Sequence, residues 1–157
     1  MRIINTNPQG SLNAESAEVS RNTRKDFQID LDNVESDFSR EIIGAAIEVQ
    51  RELGVGLLES TYCAALAVEL TEREVGFSRE AVIEASYKGK PLGLAYRADF
   101  IVEGSVIVEI KAVELVTPLH RAQLLSYLRV SGLRLGLLIN FHGFPVVKNI
   151  HRIVNKL

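Results

Sequence analysis

The chain has one cysteine and no long apolar run, and both shortages exclude classes of protein. Among its 157 residues the single Cys63 excludes an internal disulfide. The sequence also has no Cys/His cluster of the kind that binds zinc. No apolar stretch approaches the roughly 18–20 residues that span a bilayer. The N-terminal residues also lack the apolar core of a signal peptide. We therefore expect a cytoplasmic protein with no membrane partner.

Acidic residues are missing from the C-terminal part of the chain. Glu114 is the last Asp or Glu, and six cations and all three histidines follow it. A segment with cations and no acid is typical of a surface that faces phosphates. The alternative is a solvated surface whose counter-charges come from the N-terminal half of the chain.

The pattern predicts a polar tail followed by a single domain. Residues 1–34 are rich in Asn, Ser, Thr and charge and show no sustained period, which predicts a flexible N-terminal tail. Residues 35–157 are expected to form one domain. Its first helix is predicted to begin near the N-cap Ser36 and to end at the "GVG" that follows Leu53.

The apolar period changes from helical to alternating after a second predicted helix. Residues 81–113 read as three strands joined at 88–90 and 103–105. Thr117 and the proline after it predict the start of a third helix, which Gly132 ends. Two further strands follow, at residues 133–141 and 146–154. The predicted order is α-α-β-β-β-α-β-β, an α/β fold with a central mixed sheet flanked by helices.

Three charged residues interrupt two of these strands. Strand side chains alternate between faces, so Glu109 and Lys111 share one face, and Asp99 meets them if the two strands are antiparallel neighbours. Two carboxylates at such short range repel each other unless a cation lies between them. We therefore expect the crowding to raise the pKa of at least one carboxyl group, and we expect Lys111 to offset part of that rise. Mg²⁺ takes oxygen ligands and keeps waters for a substrate phosphate. The alternative interpretation is a buried Glu–Lys salt bridge with Asp99 near the sheet edge.

The same spacing, D-x9-E-x-K, resembles the signature of the PD-(D/E)xK nuclease superfamily. The stretch "GLLESTY" also carries Gly56, Glu59 and Tyr62 at G-x-x-E-x-x-Y spacing. From Phe38 to Ile153 the chain is similar to the GxxExxY proteins, a bacterial branch of that superfamily, with further support from "YRADFIVEGSVIVEIKAV", "AQLLSYL" and "LGLLINF". The resemblance implies a restriction-endonuclease-like core.

The resemblance also implies a set of site residues. Asp99 and Glu109 are implied as ligands of Mg²⁺ or Mn²⁺, with Glu59 completing the metal site from a helix. Lys111 is implied as the catalytic lysine. Gln123 is implied as a catalytic residue near the scissile phosphate.

Two tyrosines share helical faces with implied site residues and are candidates for supporting roles. Tyr127 lies one turn after Gln123, and Tyr62 lies three residues after Glu59. For Tyr62 the alternative, which we favour, is a core tyrosine whose hydroxyl is hydrogen-bonded.

The resemblance implies a divalent-metal-dependent nuclease that acts on nucleic acid, and DNA is the expected substrate. The alternative is a non-catalytic nucleic-acid-binding or regulatory protein that retains the nuclease fold. A structural or oligomeric module is a third interpretation. We also predict a homodimer through the edge strand near the C-terminus and a partner protein that targets the enzyme.

Overall fold

A computed structural model describes residues 38–156 of the chain. These residues form, in order, helix α1 (Ser39–Leu53), helix α2 (Glu59–Glu72), strand β1 (Phe77–Tyr87), strand β2 (Lys90–Val102), strand β3 (Val106–Lys111), helix α3 (Pro118–Ser131), strand β4 (Leu135–Asn140), a short 3-10 helix (Val146–Asn149) and strand β5 (Ile150–Val154). The predicted order of helices and strands is confirmed. The predicted tail, residues 1–34, and the predicted N-cap Ser36 lie outside the described residues.

Helix α3 begins and ends at the residues that the sequence predicted, Thr117 and Gly132. The Thr117 hydroxyl accepts a hydrogen bond from the His120 N–H, and the Thr117 N–H donates to His120 Nδ1, which together satisfy two N–H groups at the start of the helix. Gly132 ends the helix in the left-handed conformation, with φ of 75°. This helix connects strands β3 and β4.

The five strands form one mixed sheet in the order β1-β2-β3-β4-β5. Strand β2 pairs antiparallel with β1 and β3, β3 and β4 are parallel, and β5 is antiparallel to β4. A parallel pair needs a crossover, which α3 supplies. The register of the parallel pair places Lys111 beside Asn140. The predicted α/β fold with a restriction-endonuclease-like sheet is confirmed.

One predicted strand is partly wrong. Residues 146–154 read as a single strand, but the first four form the 3-10 helix and only Ile150–Val154 pair with β4. The Val146 N–H donates to the side chain of Gln50, and the Lys148 N–H donates to the Pro145 carbonyl. These bonds tighten the chain into a turn before the strand begins.

The core is built on the two central strands, β3 and β4, which are buried along most of their length. Leu124 and Leu128 of α3 pack against Ile107 and Leu138 of the sheet. Each fully buried side chain of this kind contributes about 1.5–3 kcal/mol relative to its exposed state. Among residues 38–156, no helix has the length and apolar character needed to cross a membrane.

Candidate active site

At Asp99 and Glu109 the hydrogen bonds between β2 and β3 change from main-chain pairs to bonds between main-chain N–H groups and carboxylates. The last paired residues of the ladder are Phe100 and Val108. Beyond them the Asp99 N–H donates to Glu109 Oε1 at 3.1 Å, and the Ile110 N–H donates to Asp99 Oδ2 at 2.7 Å. Each carboxylate is therefore held by the main chain of the other strand. Asp99 Oδ1 and Glu109 Oε2 lie outside these main-chain bonds.

Lys111 joins this pair from the same face of β3 as Glu109. Its Nζ lies 4.0 Å from Glu109 Oε2, and both side chains are largely buried. The Lys111 carbonyl accepts a hydrogen bond from the Phe141 N–H at 2.8 Å, which fixes the end of the strand. The structure thus brings together Asp99, Glu109 and Lys111.

The electrostatics of the pair are dominated by burial of Glu109. Burial, and after it the charge of Asp99, raises the pKa of Glu109 to about 7, while the hydrogen bond from the Asp99 N–H and the charge of Lys111 lower it. The prediction that at least one carboxyl pKa is raised is confirmed, although burial has a larger effect than crowding. Near pH 7 Glu109 is therefore partly protonated, and a cation bound beside it would favour the ionised form.

Glu59 lies near the pair as the first residue of α2, where a carboxylate interacts favourably with the helix dipole. Its charge contributes to the raised pKa of Glu109. It also helps to raise the pKa of the Cys63 thiol to about 12, after the larger effects of burial and Asp99.

These carboxylates do not form a preassembled three-ligand site. Over residues 38–156, no three His, Cys, Asp or Glu side chains are grouped so that they could hold one ion. Like charges repel, so three carboxylates gain nothing from meeting by themselves. Glu59 as a third metal ligand stays a prediction.

Helix α3 brings Gln123 and Tyr127 to the same region. Gln123 Nε2 donates to the Tyr127 hydroxyl at 2.9 Å, and the Tyr127 ring lies 5.4 Å from that of Tyr96. The Tyr127 pKa is raised by burial and then by the charges of Glu109 and Asp99. Tyr127 is therefore within electrostatic range of both carboxylates, and Gln123 is linked to the site through it.

Tyr62 lies in the core. Its ring stacks on Phe141 with centroids 4.5 Å apart, and its hydroxyl donates to the Gly54 carbonyl at 2.9 Å. The same hydroxyl accepts a hydrogen bond from the Leu57 N–H at 3.3 Å. Tyr62 thus fixes the turn that leads into Glu59, and any contribution to the site is through that turn.

Sequence reasoning missed two polar residues that hold the loops beside Lys111. Buried Gln50 donates to the Gly143 carbonyl at 2.8 Å and accepts from the Val146 N–H at 2.6 Å. Asn140 accepts from the Val113 N–H and donates to the Val113 carbonyl. An asparagine ending a buried apolar strand was a usable signal. Gln50 carried no such signal in the sequence, because its hydrogen-bond partners lie more than ninety positions further along the chain.

The mixed sheet and the acid pair with its lysine on adjacent strands are the features of a restriction-endonuclease-like nuclease domain. A family profile described as the PD-(D/E)XK nuclease superfamily matches residues 36–153. The chain belongs to this superfamily. PD-(D/E)XK nucleases generally use divalent metal ions, and the superfamily membership suggests nucleic acid as the binding partner.

Two further comparisons accompany this match. Among curated proteins no significant match to the chain is found. A solved structure, that of SSO0001, is similar over 90% of this chain and 79% of its own, with 18% sequence identity and a TM-score of 0.49. The narrower GxxExxY assignment is not tested by these matches and stays a prediction.

Proposed function

We propose that this protein is a divalent-metal-dependent nuclease that hydrolyses phosphodiester bonds of nucleic acid, with DNA as the expected substrate. Superfamily membership supports the reaction class. The observation that carries the proposal is the buried acid pair, Asp99 and Glu109, which lies beside a lysine and in which the pKa of Glu109 is raised to about 7. Strongly perturbed carboxyl groups of this kind cluster at functional sites.

The acid pair fits a hard divalent cation. Asp99 and Glu109 are each oriented by a main-chain N–H, and each has one carboxylate oxygen outside those bonds. Mg²⁺ is usually bound through one or two carboxylates together with waters and substrate phosphate, so Asp99 and Glu109 would hold Mg²⁺ or Mn²⁺. When bound, the ion would supply Lewis-acid polarisation of the phosphate and a water of lowered pKa.

Lys111 is the residue we assign to charge stabilisation. Its ammonium group lies on the same face as the acid pair and is largely buried, where an electrostatic interaction is stronger than in water. A cation held there would stabilise the charge that develops on the phosphate during attack. Gln123 and Tyr127 supply a further hydrogen-bonded pair on the α3 side of the site.

The competing interpretation is a structural salt bridge. A well-formed ion pair would keep Glu109 ionised, because a close cation favours the charged form. The separation of 4.0 Å from Lys111 Nζ is long for such a pair, and the pKa of Glu109 stays raised to about 7 despite it. These two features favour a site that accepts a second cation.

The test is a cleavage assay on single- and double-stranded DNA and RNA over a series of Mg²⁺ and Mn²⁺ concentrations. For Lys111→Ala we expect metal binding close to wild type and cleavage lower by about two to three orders of magnitude, since loss of one stabilising donor has effects of this size. Asp99→Asn should weaken metal binding, because an amide is a poorer ligand than a carboxylate, and excess Mn²⁺ should restore part of its activity.

Thermal melts of the same proteins separate the two interpretations. A structural salt bridge predicts that Lys111→Ala lowers stability by about 3–5 kcal/mol, because it leaves Glu109 as an unpaired buried charge, with no metal-dependent activity to lose. If clean wild-type protein cuts no nucleic acid in either metal, the enzyme is refuted and the non-catalytic binding protein takes its place. The homodimer and the targeting partner stay predictions.

A further inference from the structure

The site is bordered by unusually exposed apolar side chains. Four large apolar residues among those that the structure describes are between 72% and 79% exposed, and no other exceeds 64%. They are Leu58, Leu115, Leu119 and Phe144. All four lie in segments next to site residues. Leu58 directly precedes Glu59, the next two follow β3 and Lys111, and Phe144 follows β4.

Phe144 differs from an ordinary exposed loop residue because the chain on both sides of it is anchored. Gln50 binds the Gly143 carbonyl at 2.8 Å and the Val146 N–H at 2.6 Å. Asn149 Nδ2 donates to the Pro145 carbonyl at 3.0 Å. The Phe144 ring is therefore presented to solvent from a fixed loop.

The chain sets an upper limit on the distance between Phe144 and the strand end that carries Lys111. Phe144 lies four residues after Asn140, which pairs with Lys111 across β3 and β4. Four residues span at most about 14 Å, so the Phe144 Cα lies within that distance of the Asn140 Cα. Successive nucleotides of one strand rise about 3.4 Å along a duplex axis. A strand whose phosphate is held at Lys111 covers a comparable length in about four nucleotides.

The composition of this border favours bases over a phosphate backbone. Half to two-thirds of the hydrogen bonds from proteins to duplex DNA go to phosphate and sugar, mostly from polar and cationic groups. Here large apolar side chains in the segments next to the site are strongly exposed, and Arg121, the cation nearest to Leu119 in the sequence, is hydrogen-bonded to His151. Aromatic rings stack on bases of any sequence only where those bases are unpaired.

We propose that Phe144 is a base-stacking residue, and that the nuclease site takes nucleic acid with unpaired nucleotides, such as a single strand or an overhang. This inference rests on the proposed function for the phosphate chemistry. It adds a substrate class, and it assigns a specificity-determining role to a residue outside the D-x9-E-x-K set. The leucines extend the apolar surface along which unpaired bases and sugars lie.

The test is binding of a short labelled single-stranded DNA and of its blunt duplex, measured by fluorescence anisotropy in EDTA and in Ca²⁺. A denaturing gel checks that the DNA stays intact. We expect wild type to bind the single strand more tightly than the duplex. Phe144→Ala and Phe144→Leu should weaken single-strand binding roughly 5- to 150-fold, the loss of one stacked base, while Phe144→Trp should bind as well as wild type or better.

Phe144→Leu is the decisive variant because it keeps the apolar character and removes the ring. Val68→Ala, an exposed apolar position further along α2, is the matched control and should bind as wild type. If the leucine variant binds like wild type, the contact is only apolar, which would suit a protein partner and would overturn stacking. Equal affinity of wild type for single strand and duplex would overturn the substrate class.

Cleavage separates this proposal from the nuclease proposal. Metal-dependent cleavage that is the same in wild type and Phe144→Leu would leave the nuclease intact and refute the stacking role. Single-strand binding that depends on the ring, without cleavage in any metal, would leave the stacking role intact and refute the enzyme. Absence of both would refute both.

Discussion

Replacing Glu109 by glutamine should stabilise the protein at alkaline pH while removing a ligand of the proposed metal site. Glutamine has nearly the same shape and keeps an oxygen that can accept the hydrogen bond from the Asp99 N–H. It carries no charge, so it avoids the cost of a buried ionised carboxyl next to Asp99. The expected result is a variant that is more stable than wild type and inactive.

The magnitude follows from the pKa of Glu109, which is about 7 in the folded protein against an ordinary value of 4.5. The folded state holds its proton more tightly than the unfolded state. Glu109 therefore contributes its full stabilisation when the pH is below its ordinary pKa, and this stabilisation is lost as the pH rises through the pKa of the folded state. The loss is on the order of 3 kcal/mol.

Thermal melts in EDTA from about pH 5 to pH 8 measure this effect. Relative to Glu109→Gln, wild type should be about equally stable at the acid end and lower in Tm by roughly 10 °C at the alkaline end. Glu84→Gln, at an exposed position of β1, is the matched control and should follow wild type. Parallel pH profiles of wild type and Glu109→Gln would refute the electrostatic account of the site.

Three further substitutions test the supporting residues. Tyr62→Phe should lower the free energy of unfolding by about 1–2 kcal/mol, since the Leu57 N–H and the Gly54 carbonyl lose a buried partner, and denaturant titration measures this. Gln50→Leu should cost about 2–4 kcal/mol in the same assay, because it leaves main-chain groups around Phe144 unsatisfied. Gln123→Ala should lower cleavage about 10- to 100-fold and leave the melt within about 0.5 kcal/mol of wild type. A cleavage rate equal to wild type would remove Gln123 from the site.

Local signals were sufficient to predict the fold. Alternation of apolar residues predicted the strands that carry Asp99 and Glu109, and glycine turns at 88–90 and 103–105 predicted that they are consecutive antiparallel strands. Thr117 and Gly132 marked the two ends of α3. These features depend on residues that are close in sequence, so the pattern contains them.

The details that give the site its properties depend on contacts that the pattern does not contain. The two hydrogen bonds, from the Asp99 N–H to Glu109 Oε1 and from the Ile110 N–H to Asp99 Oδ2, require the exact strand register. The large effect of burial on Glu109 depends on how α2 and α3 pack against β3. Gln50 reaches its partners only in the folded chain, and the position of Glu59 relative to the acid pair depends on how α2 packs.

Calorimetric titration of Mn²⁺ into wild type, Asp99→Asn and Lys111→Ala tests the central claim most directly. We predict one ion per chain for wild type, with an affinity that weakens below about pH 7 because Glu109 must lose its proton to bind a metal. Lys111→Ala should bind about as well, and Asp99→Asn should bind much more weakly. Wild type that binds no Mn²⁺, or an Asp99→Asn variant that binds it as tightly as wild type, would contradict the metal site and with it the proposed nuclease.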